Sequence, residues 1–591
     1  MKNIISCILV LLVALPGFSQ EVFFSVNQVG FHPGDTKKAV IFSREKIKSK
    51  IQLMHLPDSS AAFLMTPKTL EAGDWGDFHY YSLDFSSVIE SGEYYLWHSD
   101  SKSSSEKFQI SDQAYQGIQE HLLKFMRQQR CGYNPTLDMV CHQQDGRSFY
   151  GPMPDSTYVD ASGGWHDAGD QLKYLITGSY ATGHMLMAYQ LFPDQFEDQV
   201  NALGQPAKNG IPDVLDEAKW GLDWLLKLHP APDQLIHQIA DDRDHRGFKI
   251  PNKDNADYGW GENSYRVAYF ATGKPQGLMQ YKSEATGLAN LAGRSAAALA
   301  LGARIWKEFD EIYAQKCLQA AKTLYALGQK AEGFQQGNSY GAPYRYMEET
   351  WNDDMEWGAA ELFKATGDSS YLEQAKDYAV ASSNADSWTV RDSAAHYQLY
   401  PFINLGHFSL HEVVDETFKK TLEEYYKEGI EYTLSKSKSS PFEVGIPFIW
   451  CSNNLMTSLA TQLILYEKMS GDQTFHPYLL AQRDWLFGKN PWGTSMFTGI
   501  PEWGDYPVYV HTAPYVLLNL EIPGGLVDGP IFRTIHSNLL GLTLERPDDY
   551  LGRQNPFIVY HDAVGDYSTN EPTMDGTAGS ILMMSYFSHK K

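Results

Sequence analysis

Basic residues, cysteines and long apolar runs are all scarce in this chain. Lys and Arg number 48 against 72 Asp and Glu, which gives a formal net charge of −24. Nucleic acids and anionic membranes are bound through Lys and Arg, so this balance argues against both as partners. A neutral ligand is not disfavoured by such a charge.

Apolar runs are concentrated at the N-terminus. After Leu15 no stretch approaches the roughly 18 consecutive apolar residues of a transmembrane helix, which argues against a membrane span. Residues 1–20 combine Lys2, an apolar run that starts at Ile4 and small residues at their end. This layout is typical of a cleavable signal peptide, so we expect an exported protein in the periplasm or outside the cell.

Cysteine occurs five times in 591 residues. Cys7 lies in the expected signal peptide, which leaves Cys131, Cys141, Cys317 and Cys451. A chain of this length does not depend on disulfides for its core, so export by itself does not imply bridges. Cys317, within an Ala-rich helical pattern, is interpreted as a buried small hydrophobe.

Aromatic residues, by contrast, are abundant, at 13% of the chain with 36 Tyr and 14 Trp. Such rings either pack in a core or stack on planar ligands, and most are expected in the core. The length exceeds what one hydrophobic core usually organises, so we predict two structural units.

The first unit is predicted over residues 21–110. Short apolar segments with strand character recur there between turn residues, and this spacing indicates a small all-β sandwich. These segments are 38–42, 51–54, 79–83 and 94–97.

The second unit is predicted over residues 111–591 and is helical. After Ser111 the apolar period changes, and Tyr115, Ile118, Leu122 and Met126 fall on one face of a helix. Long loops join the helical patterns that follow, which favours a barrel of helical hairpins over a bundle. The helical patterns cover about 174–190, 214–225, 284–306, 313–328, 353–366, 370–383, 411–434, 453–470, 475–487 and 573–588.

Two acidic motifs far apart in the chain carry the candidate chemistry. Asp167 and Asp170 are separated by small residues only, so both carboxylates can face one water, and Glu571 ends the segment 566–571. Inverting cleavage of a glycoside needs a carboxylate that activates water and a protonated carboxyl that expels the leaving oxygen. Taken singly, the segment 167–170 is better explained as a polar turn with solvated Asp residues, and Glu571 as an acid at a helix N-terminus.

Together with other segments in the same order, these motifs resemble glycoside hydrolase family nine, a cellulase family. The resemblance covers essentially the whole chain after residue 20. The further segments are 26–31, 209–218 with Trp220, 353–357, 490–493 and 559–562.

The resemblance implies an immunoglobulin-like domain followed by a large all-α (α/α)6 barrel. It also implies inverting hydrolysis of β-1,4-glucosidic bonds in cellulose-like glucans or their oligosaccharides. Asp170 would be the general base, Asp167 would help to hold the water, and Glu571 would be the general acid. A free Glu has a pKa near 4.3, so the surroundings must raise that of Glu571, and Asp566 and Tyr567 are candidates for this effect.

A second set of residues has the chemistry of a metal site. Cys131, Cys141, His142 and His166 offer two thiolates and two imidazoles, which suits tetrahedral Zn²⁺. Ligand chemistry alone leaves a Cys131–Cys141 disulfide equally open in an exported protein. The resemblance favours a structural zinc ion, which would rigidify the loop that carries the acidic pair.

The resemblance also points to calcium near Asp353 and Asp354, although the remaining ligands are not identifiable and a solvated helix start explains the same residues. The stretch 242–247 is rejected as a calcium loop because it places Arg where an oxygen ligand is needed. No organic cofactor is expected.

Several residues are predicted to bind sugar. Tryptophans in loop-like contexts and Tyr567 are candidates for stacking, with barrel packing as the alternative. Where the family carries a His-His-Arg cluster, this chain keeps only His511. Loss of the Arg removes a fork of hydrogen-bond donors, so the cleft is expected to be remodelled. The tryptophans are Trp260, Trp351, Trp450, Trp492 and Trp503.

Two alternatives remain at this point. One is an exo-acting β-glucosidase or β-glucosaminidase that acts on oligosaccharides, which a remodelled cleft would favour. The other is a carbohydrate-binding protein without turnover. The presence of Asp167, Asp170 and Glu571 together argues against this second alternative.

Overall fold

Two facing β-sheets form the N-terminal part of the protein. The computed structural model describes residues 21–56, 58–342, 344–385 and 403–589, so the predicted signal peptide lies outside the described residues. One sheet has the order β1-β3-β7-β6 and the other β2-β10-β8-β4-β5, with β9 paired to β8. The strands are β1 Phe23–Ser25, β2 Gly30–Phe31, β3 Lys38–Ser43, β4 Ile51–Leu56, β5 Ser60–Met65, β6 Lys68–Leu70, β7 His79–Asp84, β8 Gly92–His98, β9 Ser103–Ser104 and β10 Phe108–Ile110.

Alternation of side chains explains why these segments pair as a sandwich. In β8, Tyr94 and Leu96 are buried while the residues between them are partly exposed. They join Phe31, Ile41 and Leu53 in a core that the two sheets enclose. The predicted immunoglobulin-like sandwich is confirmed.

A closed ring of helices forms the remainder of the protein. In the described part of the chain, α2, α4, α6, α8, α10 and α14 each contact the next, and α14 contacts α2. A second helix packs outside each member of this ring. The helices are α1 Ile118–Gln128, α2 Leu175–Leu191, α3 Asp213–Leu228, α4 Ala289–Trp306, α5 Glu311–Lys330, α6 Asn352–Thr366, α7 Ser369–Ala385, α8 Ile403–His411, α9 Glu416–Ser437, α10 Ser452–Ser470, α11 His476–Leu486, α12 Ala513–Leu518, α13 Arg533–His536 and α14 Met574–Ser588.

This double ring is the predicted (α/α)6 barrel. Inner helices such as α4 and α14 are buried almost all round, whereas outer α5 buries only one stripe. The small residues of α4 let α5 and α6 approach it closely. The described residues also contain four 3-10 turns, at Gly73–Trp75, Pro193–Gln195, Asp242–Asp244 and Pro251–Lys253.

The helix predicted across 411–434 has a different start. His411 ends α8, and α9 begins only at Glu416. The Asp415 carboxylate accepts hydrogen bonds from the backbone N–H groups of Thr417 and Phe418, which caps α9. An N-cap within a continuous apolar pattern therefore separates two helices.

Short strands surround the open end of the barrel. β13 Asp145–Phe149, β16 Arg266–Phe270, β15 Ile236–Ile239 and β14 Lys173–Tyr174 form one sheet in that order. β14 leads directly into α2, so this sheet fixes the entrance of an inner helix. The remaining pairs are β11 Tyr133–Asn134 with β12 Met139–Val140, β17 Leu526–Val527 with β20 Pro572–Thr573, and β18 Ile531–Phe532 with β19 Ile558–Val559.

The sandwich packs on the barrel through buried contacts. The Asn27 side chain donates hydrogen bonds of 2.7 Å to both Asp484 and the Tyr115 hydroxyl. Trp75 lies among the rings of Phe442 and Trp485. In the described residues no helix is both long and apolar enough to cross a membrane.

Candidate active site

Asp170 and Glu571 line the same cavity, which has a volume of about 540 Å³. Asp170 precedes β14 and α2, and Glu571 precedes β20 and α14. Because α2 and α14 are neighbours in the inner ring, residues from opposite ends of the barrel sequence meet here. A larger cavity of about 720 Å³ lies between sandwich and barrel, and none of these acids lines it.

Gly169 joins the two acidic segments. Its backbone N–H donates a 2.8 Å hydrogen bond to Glu571 Oε1, across 402 residues of sequence. A Cβ atom at this position would lie 2.1 Å from the His511 carbonyl oxygen and 2.7 Å from Glu571 Oε1. Only glycine therefore allows the Asp170 loop, the His511 segment and Glu571 to approach this closely.

Asp170 is held from two sides. Its Oδ1 accepts the backbone N–H of Leu172 at 2.8 Å, and its Oδ2 lies 3.3 Å from both His245 Nε2 and the Tyr344 hydroxyl. Its side chain is only 7% exposed. Asp170 thus presents an oriented carboxylate at the wall of the cavity.

Asp167 lies behind this wall rather than in the cavity lining. Its Oδ1 accepts a hydrogen bond from the Thr177 hydroxyl and its Oδ2 one from the Tyr346 hydroxyl, both at 2.5 Å. Burial, followed by the charges of Asp575 and Asp170, raises the pKa of Asp167. The two acids of the pair therefore occupy different environments.

Glu571 has the electrostatics of a protonated acid. Withdrawal from water and the charge of Asp170 raise the pKa of Glu571 to about 8, against the opposing effects of the Gly169 N–H and His245. His245 shows the complementary shift. Burial opposes its charged form, but the hydrogen bond and charge of Asp170 raise the pKa of His245 to about 9.

Asp566, a candidate for raising the pKa of Glu571, is paired with two histidines instead. The largest charge effect on Glu571 comes from Asp170, whereas Asp566 is fully buried and accepts hydrogen bonds from His536 and His561. Burial acts to raise the pKa of Asp566, but these bonds and one from Ser568 hold it well below its ordinary value.

Three of the predicted sugar-binding side chains line the cavity, namely Trp450, His511 and Tyr567. The rings of Trp450 and Tyr567 lie 5.8 Å apart at an angle of 32°. His511 donates from Nδ1 to the Val564 carbonyl at 2.7 Å. These residues form a partly exposed aromatic wall next to both acids.

The other predicted tryptophans are not in this wall. Trp492 is 1% exposed and packs on Trp485 and Tyr560, so the prediction that it stacks on a sugar is wrong. Trp260, Trp351 and Trp503 lie outside the cavity lining. Trp260 packs against Phe149, and Trp351 immediately precedes α6. Trp503 donates to the Gln28 carbonyl at the junction with the sandwich.

Residues 533–552, here called the cleft-wall segment, contribute Leu540 to the cavity. The Tyr567 hydroxyl donates to the Leu540 carbonyl at 2.7 Å. Glu545 accepts hydrogen bonds of 2.8 Å from the backbone N–H groups of Val564 and Gly565. The segment is thus attached to the loop that precedes Glu571.

Cys131, Cys141, His142 and His166 form one cluster, whose ligand atoms all lie within 4.8 Å of one another. Both cysteines are free thiols. Cys131 Sγ lies 3.6 Å from His142 Nδ1, and Cys141 Sγ lies 3.8 Å from His166 Nε2. This arrangement of two sulfur and two nitrogen donors fits a tetrahedral metal site.

The cluster is connected to the cavity through charged side chains. His142 Nε2 lies 3.3 Å from Asp254, and Lys249 pairs with both Asp254 and Asp244 at 3.0 and 3.3 Å. Asp244 accepts the backbone N–H of Gln171, next to Asp170. A carboxylate behind a ligating histidine orients the imidazole, so Asp254 supplies this second layer.

Asp353 and Asp354 are buried in the first turn of α6, so the explanation as a solvated helix start is wrong. Asp354 pairs at 2.9 Å with the buried guanidinium of Arg294, which also pairs with Glu348. A cation of the protein itself already faces this carboxylate. The calcium site stays a prediction.

Several side chains at the site were not identified from the sequence. His245, Tyr344 and Tyr346 contact the acidic pair, but they lie in loops distant from both motifs. His245 falls in the stretch 242–247 that was considered only as a calcium loop. Its position beside Asp244, in a turn-rich acidic segment, was the available signal.

Comparisons with known proteins agree with this geometry. The family model described as glycosyl hydrolase family 9 matches residues 115–584, and the model of the cellulase N-terminal ig-like domain matches residues 20–103.

Individual relatives match over most of their length. Endoglucanase D of Acetivibrio thermocellus is 28% identical over 495 residues, which are 80% of this chain and 72% of that protein. A cellodextrinase of Butyrivibrio fibrisolvens is 25% identical, with coverage of 95% of this chain and 98% of that protein.

Among solved structures, a metagenome-derived glycoside hydrolase family 9 endoglucanase superimposes with a TM-score of 0.75 at 25% identity. The match covers 96% of this chain and 99% of that one. The family match spans most of the chain and includes both acidic segments and the barrel that brings them together. The protein therefore belongs to glycosyl hydrolase family 9 and is a glycoside hydrolase with an N-terminal immunoglobulin-like domain.

Proposed function

We propose that the protein is an inverting glycoside hydrolase that cleaves β-1,4-glucosidic bonds in cellulose-like glucans or their oligosaccharides. The observation that carries this proposal is the placement of Asp170 and Glu571 in one cavity, together with the raised pKa of Glu571. The family match and the names of the relatives support the choice of a β-glucan substrate.

Asp170 is the proposed general base. It takes a proton from the water that attacks the anomeric carbon. His245, which is charged near neutral pH, and the Leu172 N–H orient the Asp170 carboxylate through hydrogen bonds. We propose that Asp167 helps to hold this water; because Asp167 lies behind the cavity lining, the water must reach past Asp170 to the oxygens that already accept hydrogen bonds from Thr177 and Tyr346.

Glu571 is the proposed general acid. It donates its proton to the glycosidic oxygen as the bond to the anomeric carbon breaks. Its pKa of about 8 keeps the carboxyl protonated at neutral pH. The Gly169 N–H then stabilises the carboxylate that forms after proton transfer.

Product analysis of purified protein on cellohexaose tests the reaction and its stereochemistry. Proton NMR within the first turnovers is expected to show the α-anomer of the new reducing end, the outcome of inversion at a β-linkage. A retained β-anomer would contradict the role of Asp170 as base. No cleavage of cellohexaose, carboxymethylcellulose or xyloglucan would contradict the substrate class.

An exo-acting enzyme on oligosaccharides is the second candidate. Leu540 and Tyr567 are hydrogen-bonded to each other and line the cavity together with Glu571. The Arg expected near His511 is absent. Both features favour a restricted cleft. The cellodextrinase match supports the same choice. Release of sugars from one end of cellohexaose would select this candidate over the endo-acting one, and cleavage of chitosan oligomers would indicate a glucosaminidase.

We also propose that Cys131, Cys141, His142 and His166 hold a structural zinc ion. The ion would supply a fixed crosslink, and Asp254 and Lys249 would transmit that rigidity to the Asp170 loop. Metal analysis is expected to find zinc that is lost in a Cys131→Ser variant. An intact Cys131–Cys141 disulfide without zinc would overturn this assignment.

We propose that the chain is divided into three parts. These are a cleavable signal peptide at 1–20, a sandwich domain at 21–110 and a catalytic domain at 111–591. The sandwich is proposed to support the barrel rather than to bind sugar, since Asn27 and Trp75 are used in the junction. N-terminal sequencing of the exported protein would test the cleavage point. Sugar affinity in an isolated 21–110 fragment would contradict the supporting role.

A further inference from the structure

Beside the active site, two histidines converge on one carboxylate oxygen. His536, at the end of α13, places Nε2 3.1 Å from Asp566 Oδ2, and His561 places Nδ1 2.7 Å from the same atom. The Asp566 side chain is fully buried, while those of His536 and His561 are 15% and 11% exposed. The three donor atoms lie within 4.8 Å of one another, where the carboxylate is fully withdrawn from solvent and both imidazoles keep a small exposed area.

The carboxylate is already oriented for this arrangement. Asp566 Oδ1 accepts hydrogen bonds from the Ser568 N–H and hydroxyl at 3.1 and 2.6 Å, which directs Oδ2 to the two imidazoles. On the far side of His561, Nε2 lies 3.9 Å from Asp548 Oδ2. Asp548 itself accepts the Tyr550 N–H at 2.8 Å. A carboxylate behind the imidazole and a fixed ligand oxygen are typical of the second layer of metal sites.

The donor set selects a class of ion. Two imidazole nitrogens and one carboxylate oxygen suit a divalent transition metal such as Zn²⁺, with water in the fourth position. Metal–ligand bonds of about 2.0–2.2 Å place tetrahedral ligands roughly 3.3–3.5 Å apart. The observed separations of 2.7 and 3.1 Å require only a small outward movement of each ring.

We propose that His536, His561 and Asp566 form a second metal site, which shares no residue with the Cys131 cluster and binds Zn²⁺ or a similar divalent ion. The site joins two parts of the chain. His536 belongs to the cleft-wall segment, and Asp566 begins the turn that carries Glu571, since its carbonyl accepts the Asn570 N–H.

The bound ion therefore adds a third connection to those made by Tyr567 with Leu540 and by Glu545 with the backbone of 564–565. These contacts secure the wall on one side of the cavity. The inference does not rest on the proposed substrate or on the identity of the acid and base.

A His536→Gln variant separates metal binding from simple hydrogen bonding. The glutamine amide can still donate a hydrogen bond to Asp566, but it does not replace an imidazole as a ligand for Zn²⁺. His476→Gln is the matched control, because His476 Nδ1 pairs with a single carboxylate, that of Glu467, at 2.9 Å. Circular dichroism verifies that each variant is folded.

The measurement is the number of Zn²⁺ ions bound per chain by metal-free protein, from calorimetric titration with Zn²⁺ alone. We expect His536→Gln to bind one equivalent fewer than the wild type, and His476→Gln to bind the same number. Equal stoichiometry in the wild type and His536→Gln would overturn the proposal.

Cobalt substitution assigns the ion that is lost. A site of nitrogen and oxygen donors lacks the thiolate-to-cobalt charge-transfer band that a cysteine site gives. We expect His536→Gln to leave the charge-transfer and d–d bands of the thiolate site unchanged while it removes the d–d absorption of the nitrogen–oxygen site. Loss of the charge-transfer band would place the effect at the Cys131 cluster and overturn the proposal.

Discussion

Asp145 and Glu571 are carboxyl groups withdrawn from water in the same barrel, yet their pKa values move in opposite directions. Burial favours the neutral form of both. At Asp145 the charges of Arg266 and Lys173, each 2.8 Å away, outweigh burial and lower the pKa. At Glu571 the largest charge effect comes from another carboxylate, Asp170, and the pKa rises to about 8.

The difference shows that burial alone does not make an acid suitable for catalysis. A buried carboxylate with two cationic partners is a structural crosslink, here between β13, β14 and β16. A carboxyl with an amide N–H and a neighbouring carboxylate can keep its proton and release it to a substrate. The charge of the neighbouring groups therefore decides whether a buried carboxyl group is a structural crosslink or an acid that can donate its proton.

The largest effect is expected for Glu571→Gln. Loss of a positioned general acid should lower kcat on cellohexaose by about 10²–10⁴-fold, with an unchanged melting temperature. Activity on an aryl glycoside with a good leaving group should fall much less, because that oxygen needs no proton. Glu373→Gln, on outer helix α7 with a side chain 70% exposed, should retain full activity. Comparable losses on both substrates would argue against the acid role.

Asp145→Ala should act on stability instead. It leaves Arg266 and Lys173 buried without their shared carboxylate, a change that typically costs about 3–5 kcal/mol. We expect a lower denaturation midpoint and reduced soluble yield. The fraction that remains folded should keep most of its kcat. An unchanged midpoint would contradict the structural role of this ion pair.

The pH dependence of kcat should follow the protonation of Glu571. Its pKa of about 8 in the folded enzyme means that the active, protonated form predominates below this pH. Activity on cellohexaose should decline as the pH rises through about 8, by roughly tenfold per pH unit well above it. If activity on an aryl glycoside declines over the same pH range, or if the decline persists in Glu571→Gln, a group other than Glu571 controls the rate at high pH.

The smallest effect is expected for Gly169→Ala. The added methyl would collide with the His511 carbonyl and Glu571, and such overpacking typically costs about 1–3 kcal/mol. Displacement of the Gly169 N–H should also shift the basic limb to higher pH, since this donor opposes the rise in the Glu571 pKa. Gly34→Ala, where an added Cβ has nothing within 4 Å, is the control. Identical pH profiles for the two variants would show that the contact is unimportant.

The sequence predicts the architecture well because periodicity is local. Apolar spacing located most inner and outer helices to within a few residues, and the changed period after Ser111 preceded α1. The boundary between α8 and α9 was missed, because a capping Asp415 interrupts an otherwise continuous pattern. Local patterns therefore gave the elements but not every junction.

The site was less accessible to sequence reasoning, since its geometry is not local. The acidic residues were identifiable from their motifs, but His245 and Tyr344 reach Asp170 only after the barrel closes. For Trp492 the local sequence was misleading. Its turn-rich surroundings suggested an exposed ring, but the side chain is packed in the core. Which aromatic rings face a cavity depends on the assembled loops rather than on residue type.

The closure of the inner ring by α14 also bears on biosynthesis. Glu571 and α14 follow the other helices of the ring in sequence, so α14 packs between α2 and α10 only after both have been synthesised. Contacts between such distant parts of a chain form late and slowly in folding. A nascent chain that lacks α14 therefore has no assembled pair of acids, and we expect hydrolytic activity to appear only after the ring has closed.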